Sequence, residues 1–158
     1  MIPSAHLREQ QARARKLSRQ ILRGLDAYRT RDDAFAIVLD IARMTGILAI
    51  HFAQVDRSLL PRLCEGDDEV RRAAIRFREE FCGLADLVKL FNSRWCTSAA
   101  VAADPVAFRV DVQQLVYAVE ERFDREERDL FKANDRGRQP VEMGIAAMRP
   151  PVASPSAA

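Results

Sequence analysis

The sequence predicts an all-α protein, an up-down-up-down bundle of four helices over residues 4–135 followed by a disordered tail over residues 136–158. Apolar residues recur every three or four positions through long stretches, which is the period of a helix. Only 6 Gly and 7 Pro interrupt the 158 residues, and four of the Pro lie at or after Pro140. Short connections between successive helices favour antiparallel neighbours, so one bundle domain is expected.

The first two helices are predicted over residues 4–29 and 33–64. In the first, the core-facing stripe contains Leu7, Gln11, Ala14, Ser18, Ile21, Leu25 and Tyr28. Asp32 and Asp33 offer an N-cap for the second helix because a short acidic side chain accepts a hydrogen bond from the first turn. Pro61 lacks a backbone N–H and is expected to kink or end the second helix near its last turn.

The third helix is predicted over residues 69–96 and is rich in phenylalanine. Gly66 supplies a stop for the helix before it, and Asp67 or Asp68 supplies its cap. Its Phe-rich face either fills the core or forms the contact of a homodimer. The small residues over 97–103 are interpreted as a loop.

The fourth helix is predicted over residues 105–133. Asp104-Pro105 marks its start, since a capping residue followed by Pro at the first helical position is a strong initiation signal. Beyond its end, residues 136–158 are rich in Pro, Ala and Ser and have almost no periodicity, which is typical of a disordered segment.

Charge and cysteine content exclude several classes of protein. The net charge is +2, but residues 1–31 carry eight Lys or Arg and only two Asp or Glu. Such a basic helix can bind nucleic acid or an anionic membrane, although packing beside the acidic fourth helix is the favoured interpretation. Three cysteines without a C-x-x-C motif predict neither a disulfide framework nor a zinc site. With no secretion signal and no membrane span in the sequence, a cytoplasmic protein is expected.

Five polar residues occupy positions on or beside the apolar stripes: Gln11, His51, Glu80, Arg122 and Glu126. Arg122 and Glu126 are four residues apart and therefore share one helix face. Side chains from facing helices converge at one level of a bundle. We therefore expect a buried polar cluster in which Arg122 neutralises Glu126 and Glu80, with His51 and Gln11 completing the hydrogen bonds. In the alternative interpretation, Arg122 snorkels out to solvent between the helices.

Two stretches, His51–Pro61 and Glu126–Phe131, resemble the hemerythrin-like superfamily, a four-helix fold whose iron-binding members use histidine and carboxylate ligands. The resemblance extends over about residues 4–133. It places Gln11 where the first helix of the family carries a His. It keeps His51 in the second helix, but Val55 stands where the Glu ligand is expected and Asp56 follows one position later.

The second half of the chain departs from the family pattern in the same way. The ligand position of the third helix falls near Glu80 or Phe81, and that helix contains no His. Arg122 replaces the His of the fourth helix, whereas Glu126 is retained. A two-iron centre needs several neutral imidazoles, and this chain has two His in all. The resemblance therefore implies a bundle that has lost most of its metal ligands, and no metal or other cofactor is predicted.

A second resemblance is to bacterial regulators of the sigma D/AlgQ type. It rests on the segments His51–Leu63, Phe91–Arg94 and Glu121–Phe123. Those regulators share the helical fold and bind the part of the primary sigma factor that contacts the promoter. The resemblance implies an anti-sigma activity and no catalytic residues.

The sequence therefore predicts a non-enzymatic regulatory or adaptor protein that binds a transcription or signalling protein, with a sigma factor as the most concrete partner. No nucleophile or acid–base constellation stands out. The first alternative is a divergent metal-binding or oxygen/redox sensor in which His51, Asp56, Glu80 and Glu126 hold one ion. A second alternative is nucleic-acid or membrane-surface binding through the basic first helix.

Overall fold

The computed structural model describes residues 2–137, and within that range it is all-helical, without a strand. The helices are α1 (Ser4–Ala27), α2 (Arg31–Gln54), α3 (Leu60–Cys64), α4 (Asp68–Phe81), α5 (Leu84–Arg94), α6 (Ser98–Ala103), α7 (Pro105–Arg125) and α8 (Lys132–Arg136). Two π-helical segments, π1 (Val55–Leu59) and π2 (Glu126–Phe131), join α2 to α3 and α7 to α8. The all-α prediction is confirmed for this range. From residue 138 onward, the predicted tail lies outside the described residues.

The second helix begins earlier than predicted because its cap is Thr30 rather than Asp32 or Asp33. The Thr30 hydroxyl accepts a hydrogen bond from the backbone N–H of Asp33, and the Asp33 carboxylate accepts one in return from the backbone N–H of Thr30. This reciprocal capping box satisfies two donors that a helix start otherwise leaves unpaired. Asp67 caps α4 and Asp104 caps α7, as the sequence predicts.

Pro61 neither ends nor interrupts the second long helix, which runs continuously over Arg31–Cys64. The π1 segment precedes the proline, and there the backbone N–H of Leu60 bonds to the carbonyl of Val55, five residues back. A wider turn of this kind accommodates a residue that lacks an N–H and crowds the preceding turn. The helix therefore departs from regular α-helical hydrogen bonding in the turn before Pro61.

The predicted third helix is two helices, α4 and α5, separated at Cys82 and Gly83. Glycine is a poor helix former, and the thiol of Cys82 donates to the carbonyl of Glu79 at 3.4 Å, which helps to close α4. The predicted loop over 97–103 contains the short helix α6, capped by Thr97. The described chain therefore has five long helices where four were expected.

The core consists of two apolar clusters at different levels of the molecule. The larger lies where α1, α2, α5, α6 and α7 meet, and it contains Leu48, Phe52 and Phe108. The smaller lies around π1, α4 and π2 and contains Phe77 and Phe131. The inward-facing polar residues of α1, α2 and α7 lie between these two clusters.

The basic face of α1 is paired with acidic residues near the end of the described chain. Arg8 pairs with Glu127 and Asp135 at 2.8 Å each, and Arg15 pairs with Glu120 at 2.7 Å. These contacts hold the pKa of the Arg8 guanidinium above its ordinary value, with the hydrogen bond to Glu127 as the main cause. The arrangement agrees with the interpretation that the basic helix packs beside the acidic fourth helix.

The helix over Arg31–Cys64 is long and apolar enough to meet the length and composition criteria for a membrane span, with 39% of its most apolar window buried. Core helices of soluble proteins pass the same test, so the expectation of no membrane span stays compatible with the structure. The three cysteines are unpaired. Cys64 is half-buried, whereas Cys82 and Cys96 are exposed rather than part of the core.

Candidate functional site

Four of the five predicted inward-facing polar residues lie together in the interior: Gln11, His51, Arg122 and Glu126. None of the four is more than 3% exposed. Gln11 comes from α1, His51 from α2, Arg122 from α7 and Glu126 from the start of π2. Each residue falls on the apolar stripe of its own helix, so burial of the stripes carries the polar groups inward. This group is called the polar cluster below.

Glu126 is the common acceptor of the polar cluster. Its Oε1 accepts a hydrogen bond from Arg122 Nε at 2.8 Å. Its Oε2 accepts one from Gln11 Nε2 at 2.7 Å and lies 2.6 Å from His51 Nε2. Three donors from three helices thus converge on one carboxylate. A carboxylate that receives this many hydrogen bonds tolerates burial because its charge remains solvated by protein dipoles and cations.

His51 is held from both sides of its ring. Its Nδ1 lies 3.0 Å from Gln10 Oε1. The amide nitrogen of Gln10 donates to Gln54 Oε1 at 2.9 Å, so the Gln10 oxygen faces the ring. On the other side of the ring, Nε2 faces the Glu126 carboxylate. Gln10 and Glu126 therefore fix the orientation of the His51 ring between them.

Burial by itself raises the pKa of the Glu126 carboxyl, because the charged form loses its hydration. The hydrogen bond from His51 and the charges of His51 and Arg122 act in the opposite direction and prevail, so the pKa lies below the ordinary value of 4.5. Arg122 also donates to Asp56, so the buried guanidinium is paired with two carboxylates. This balance is the condition under which buried charge is tolerated.

The guanidinium of Arg122 is only 1% exposed, so the alternative in which it snorkels to solvent is wrong. Its carbon Cζ lies 4.0 Å from the ring centre of Phe52 and 5.4 Å from that of Phe77, which belong to the two different apolar clusters. Its Nη2 donates to Asp56 Oδ1 at 2.7 Å. Arg122 therefore fills the space between the apolar clusters with a cation whose flat faces contact aromatic rings.

Glu80 does not belong to the polar cluster, which corrects the prediction that Arg122 neutralises it. Its carboxylate accepts a hydrogen bond from Arg125 at 2.7 Å and is 43% exposed. Asp56 takes the predicted place of Glu80 beside Arg122. Asp56 follows Phe52 by four residues and therefore shares its helix face, and both residues contact Arg122.

Gln10 is the other residue that the sequence reasoning missed. It orients His51 through the contact at Nδ1 and is 8% exposed. Its spacing of three residues from the buried Leu7 places it toward the core just as the spacing of four places Gln11 there. A core-facing stripe drawn two residues wide along α1, instead of one, would have included Gln10.

Replacing Asp56 or Glu80 by the corresponding amide should distinguish the roles of the two carboxylates. We expect Asp56→Asn to reduce the free energy of unfolding more than Glu80→Gln does. The two carboxylates are equally exposed, at 43%, but Asp56 pairs with Arg122, which is 1% exposed, whereas Glu80 pairs with Arg125, which is 22% exposed. The cost of Glu80→Gln should stay below about 1 kcal/mol. Urea unfolding of both variants beside the wild type measures the difference. Equal losses, or a larger loss for Glu80→Gln, would contradict this assignment.

The residues of the polar cluster do not fit the two-iron centre of the iron-binding hemerythrin-like proteins that the sequence resembles. Only one imidazole is present, and a guanidinium lies between the carboxylates of Asp56 and Glu126. Within residues 2–137, no group of three or more His, Cys, Asp or Glu side chains is placed to hold a metal ion. The alternative four-residue set is not assembled, because Glu80 lies with Arg125.

The chain matches no protein-family model, and no curated protein or solved structure matches it. Function is therefore inferred from the geometry of the described residues.

Proposed function

We propose that this chain is a non-enzymatic regulatory or adaptor protein that binds a protein partner through a helical surface. In this proposal the fold is a hemerythrin-like four-helix arrangement in which α4 and α5 together stand for one helix. Contacts of α1 with α2 and α7, and of α5 with the same two helices, support that arrangement. The polar cluster then has a structural role, and the outer helix faces carry recognition.

The observation that carries the proposal is that the polar cluster is closed. His51, Arg122 and Glu126 are each at most 1% exposed, and their hydrogen bonds are directed at one another. A catalytic or ligand-binding group must reach a substrate, but these groups reach none without opening the core. In a metal-binding bundle these positions would carry metal ligands. In this proposal their charged groups balance one another instead.

The surface that best fits a protein partner is the groove between α5 and α7, called the α5–α7 groove. It has a volume of about 200 Å³ and is lined by Leu87, Leu90, Phe91, Arg94, Asp111, Gln114 and Leu115. Leu90 is 67% exposed, and Leu87, three residues earlier on α5, is 45% exposed. Exposed apolar groups clustered along a groove are typical of a protein-binding site.

Polar contacts fix the geometry of the α5–α7 groove. Asp111 of α7 accepts hydrogen bonds at 2.8 Å from both Arg94 and the indole N–H of Trp95. The guanidinium of Arg94 also lies 4.7 Å from the Trp95 ring centre. These contacts tie the end of α5 to α7, so the groove is preformed. An amphipathic helix with apolar anchors at spacings of three and four residues is the partner that such a groove accommodates.

The concrete form of the proposal is a sigma factor as the partner. Phe91 and Arg94, the ends of the segment that resembles sigma D/AlgQ regulators, both line the α5–α7 groove. This coincidence of the resemblance with the groove supports an anti-sigma role over a different signalling partner.

Calorimetric titration with the promoter-contacting region of the primary sigma factor tests the proposal. We expect saturable binding by the wild type, weakened about tenfold or more by Leu90→Ser or Leu87→Ser, because large apolar side chains at the centre of an interface dominate its affinity.

The matched control is Phe35→Ser on the outer face of α2, where a large apolar side chain is 63% exposed away from the α5–α7 groove. Its affinity should equal that of the wild type. If the sigma region fails to bind, the anti-sigma form is wrong. If it binds and all three variants bind equally, the groove is not the interface.

A further inference from the structure

The side of α2 that faces away from the core is apolar, whereas the exposed positions of α1 and α4 are mostly charged. Three large apolar side chains of α2 are exposed on it, at 63% for Phe35, 41% for Leu39 and 58% for Ile50. Positions at spacings of three and four residues share one side of a helix. This side, called the α2 outer face, consists of Phe35, Leu39, Ala42, Gly46, Ala49, Ile50 and Ala53.

Few charged groups interrupt this apolar surface. Asp40 and Arg43 are the only Asp, Glu, Lys or Arg residues between residues 34 and 55, and they pair with each other at 3.1 Å. Only 39% of the most apolar window of the helix over Arg31–Cys64 is buried. A helix that is apolar on all sides is normally covered on all sides. The isolated chain covers only the inner side of α2, so the α2 outer face is available to a partner.

Gly46, at the centre of the α2 outer face, has no packing role within the chain. The helix continues through it without a positive φ, and a Cβ added at this position would meet no atom within 4 Å. Gly24 of α1 differs, because a Cβ there would lie 2.9 Å from the side chain of Ile37. Gly24 therefore lets α1 and α2 approach closely. Glycine is a poor helix former, and its use at position 46 is explained if a second helix approaches there from outside the chain.

The α2 outer face is complementary to a second copy of itself. Its large side chains Phe35 and Leu39 lie in the first half, and small residues at 49 and 53 lie in the second half. In an antiparallel pair of α2 helices with a two-fold axis near residue 44, Phe35 comes opposite Ala53 and Leu39 opposite Ala49. Gly46 then comes opposite residue 42, where two small residues let the helices cross closely.

The charges at the two ends of the α2 outer face agree with the same arrangement. Asp32 precedes Phe35 by three residues, and Arg57 follows Ala53 by four, so both continue the face. Both residues are exposed. In the antiparallel pair each Asp32 comes within one residue of the position opposite Arg57 of the other copy, so two pairs of opposite charges flank the apolar contact. The carboxylate beside Arg57, that of Asp56, is already paired with the buried guanidinium of the polar cluster.

We propose that this chain forms an antiparallel homodimer through the α2 outer face. The face is roughly 27 Å long over residues 35–53, at the rise of an α-helix. An interface of one helix from each copy is at the small end of stable interfaces, so a dissociation constant in the micromolar range is expected. The Phe-rich face of the predicted third helix is not the dimer contact, because Phe77 and Phe91 lie in the two apolar clusters of the core.

Analytical ultracentrifugation from micromolar to millimolar protein tests the proposal, with Gly46→Leu as the decisive variant. The wild type should pass from monomer to dimer. Leucine at position 46 finds open space within the chain and favours the helix, so the melting temperature should not fall. The added side chain separates the two helices, and the dimer should weaken about tenfold or more. The matched control is Gly83→Leu, at an exposed glycine that also has open surroundings but lies outside α2, and it should dimerise like the wild type.

A wild type that stays monomeric over the whole range overturns the proposal, and so does a Gly46→Leu variant that dimerises as tightly as the wild type. The same variant separates a second copy from a lipid surface. Co-sedimentation with vesicles of phosphatidylcholine and phosphatidylglycerol should show no binding. If the wild type instead remains monomeric and binds the vesicles, and Gly46→Leu binds them more tightly because it is more apolar, the α2 outer face meets lipid and the dimer is excluded.

Cross-linking tests the antiparallel orientation without altering the apolar contact. In a background in which Cys64, Cys82 and Cys96 are replaced by serine, Asp32→Cys and Arg57→Cys are prepared separately and treated with a short bifunctional maleimide. The mixture of the two variants should give a covalent dimer, whereas each variant alone should not, because like positions lie at opposite ends of the pair. Dimers formed equally well by each variant alone would indicate a parallel pair and overturn the proposal.

The dimer is independent of the proposed function. The α2 outer face and the α5–α7 groove share no residue, so sigma-region binding can fail while the chain dimerises, and the reverse.

Discussion

Replacing Arg122 by methionine is expected to lower the free energy of unfolding by about 3–5 kcal/mol. Methionine fills much of the space between the two apolar clusters but carries no charge. Glu126 then keeps its burial and loses the cation that donates to Oε1 at 2.8 Å. Removing one member of a buried ion pair costs this much because the remaining charge stays uncompensated in the interior. Chemical unfolding in urea measures the loss.

Arg128→Met is the matched control for this substitution. Arg128 lies six residues further along the same continuous helix, with its side chain 64% exposed and paired only with Asp129. Its replacement should change the free energy of unfolding by no more than about 1 kcal/mol, as is usual for an exposed pair. A loss in Arg122→Met no larger than that in Arg128→Met would show that the polar cluster contributes no charge balance to stability.

A double variant distinguishes stranded charge from lost packing. Arg122→Met/Glu126→Leu removes both members of the pair and leaves an apolar interior at that level. Because apolar replacements for a complete buried ion pair are often neutral or stabilising, we expect the double variant to be more stable than Arg122→Met. If Glu126→Leu instead lowers the free energy of unfolding further, the loss in Arg122→Met comes from poor packing of the methionine and not from an uncompensated charge.

Glu126→Gln is expected to produce a loss of similar size, about 3–5 kcal/mol at neutral pH. The amide is nearly isosteric with the carboxylate, so packing is preserved. However, the side chain must now present an NH₂ group to Arg122 on one side, or to His51 and Gln11 on the other, where only donors point. The buried guanidinium of Arg122 also loses the anion to which its Nε donates.

The pH dependence of this variant is a second signature. The pKa of Glu126 is lower in the folded state than its ordinary value of 4.5, so the carboxylate stabilises the fold fully above that value. This stabilisation is lost as the pH falls from 4.5 through the lower pKa of the folded state. Glu126→Gln lacks the component altogether. The difference in unfolding free energy between wild type and variant should therefore shrink as the solution is acidified.

Glu127, the residue next to Glu126, provides the control for both the loss of stability and the pH dependence. Glu127 pairs with Arg8 and its side chain is 41% exposed, so Glu127→Gln should cost less than about 1 kcal/mol. Its acid unfolding should follow that of the wild type. If Glu126→Gln and Glu127→Gln have the same stability and the same pH profile, Glu126 is not the centre of the polar cluster.

Several features of the molecule were predictable from local sequence patterns. Helical periodicity placed Gln11, His51, Arg122 and Glu126 on buried stripes, because a helix turns side chains inward at fixed spacing whatever it packs against. The Asp104-Pro105 start is equally local, since capping involves only the first turn. The division of the predicted third helix at Gly83 was not foreseen, because a single glycine costs a helix only about 1 kcal/mol and is often tolerated.

The sequence by itself determined the burial of Gln11, His51, Arg122 and Glu126, whereas only the tertiary structure decided which partners they meet and left Glu80 outside the polar cluster. Arg122 could reach Asp56 on the second long helix or Glu80 on α4, and nothing local to Arg122 separates the two. The choice depends on how the helices are rotated and shifted along their axes, which is set by packing of the two apolar clusters over long sequence distances. In the resulting arrangement Asp56 lies against Arg122 and Glu80 lies against Arg125.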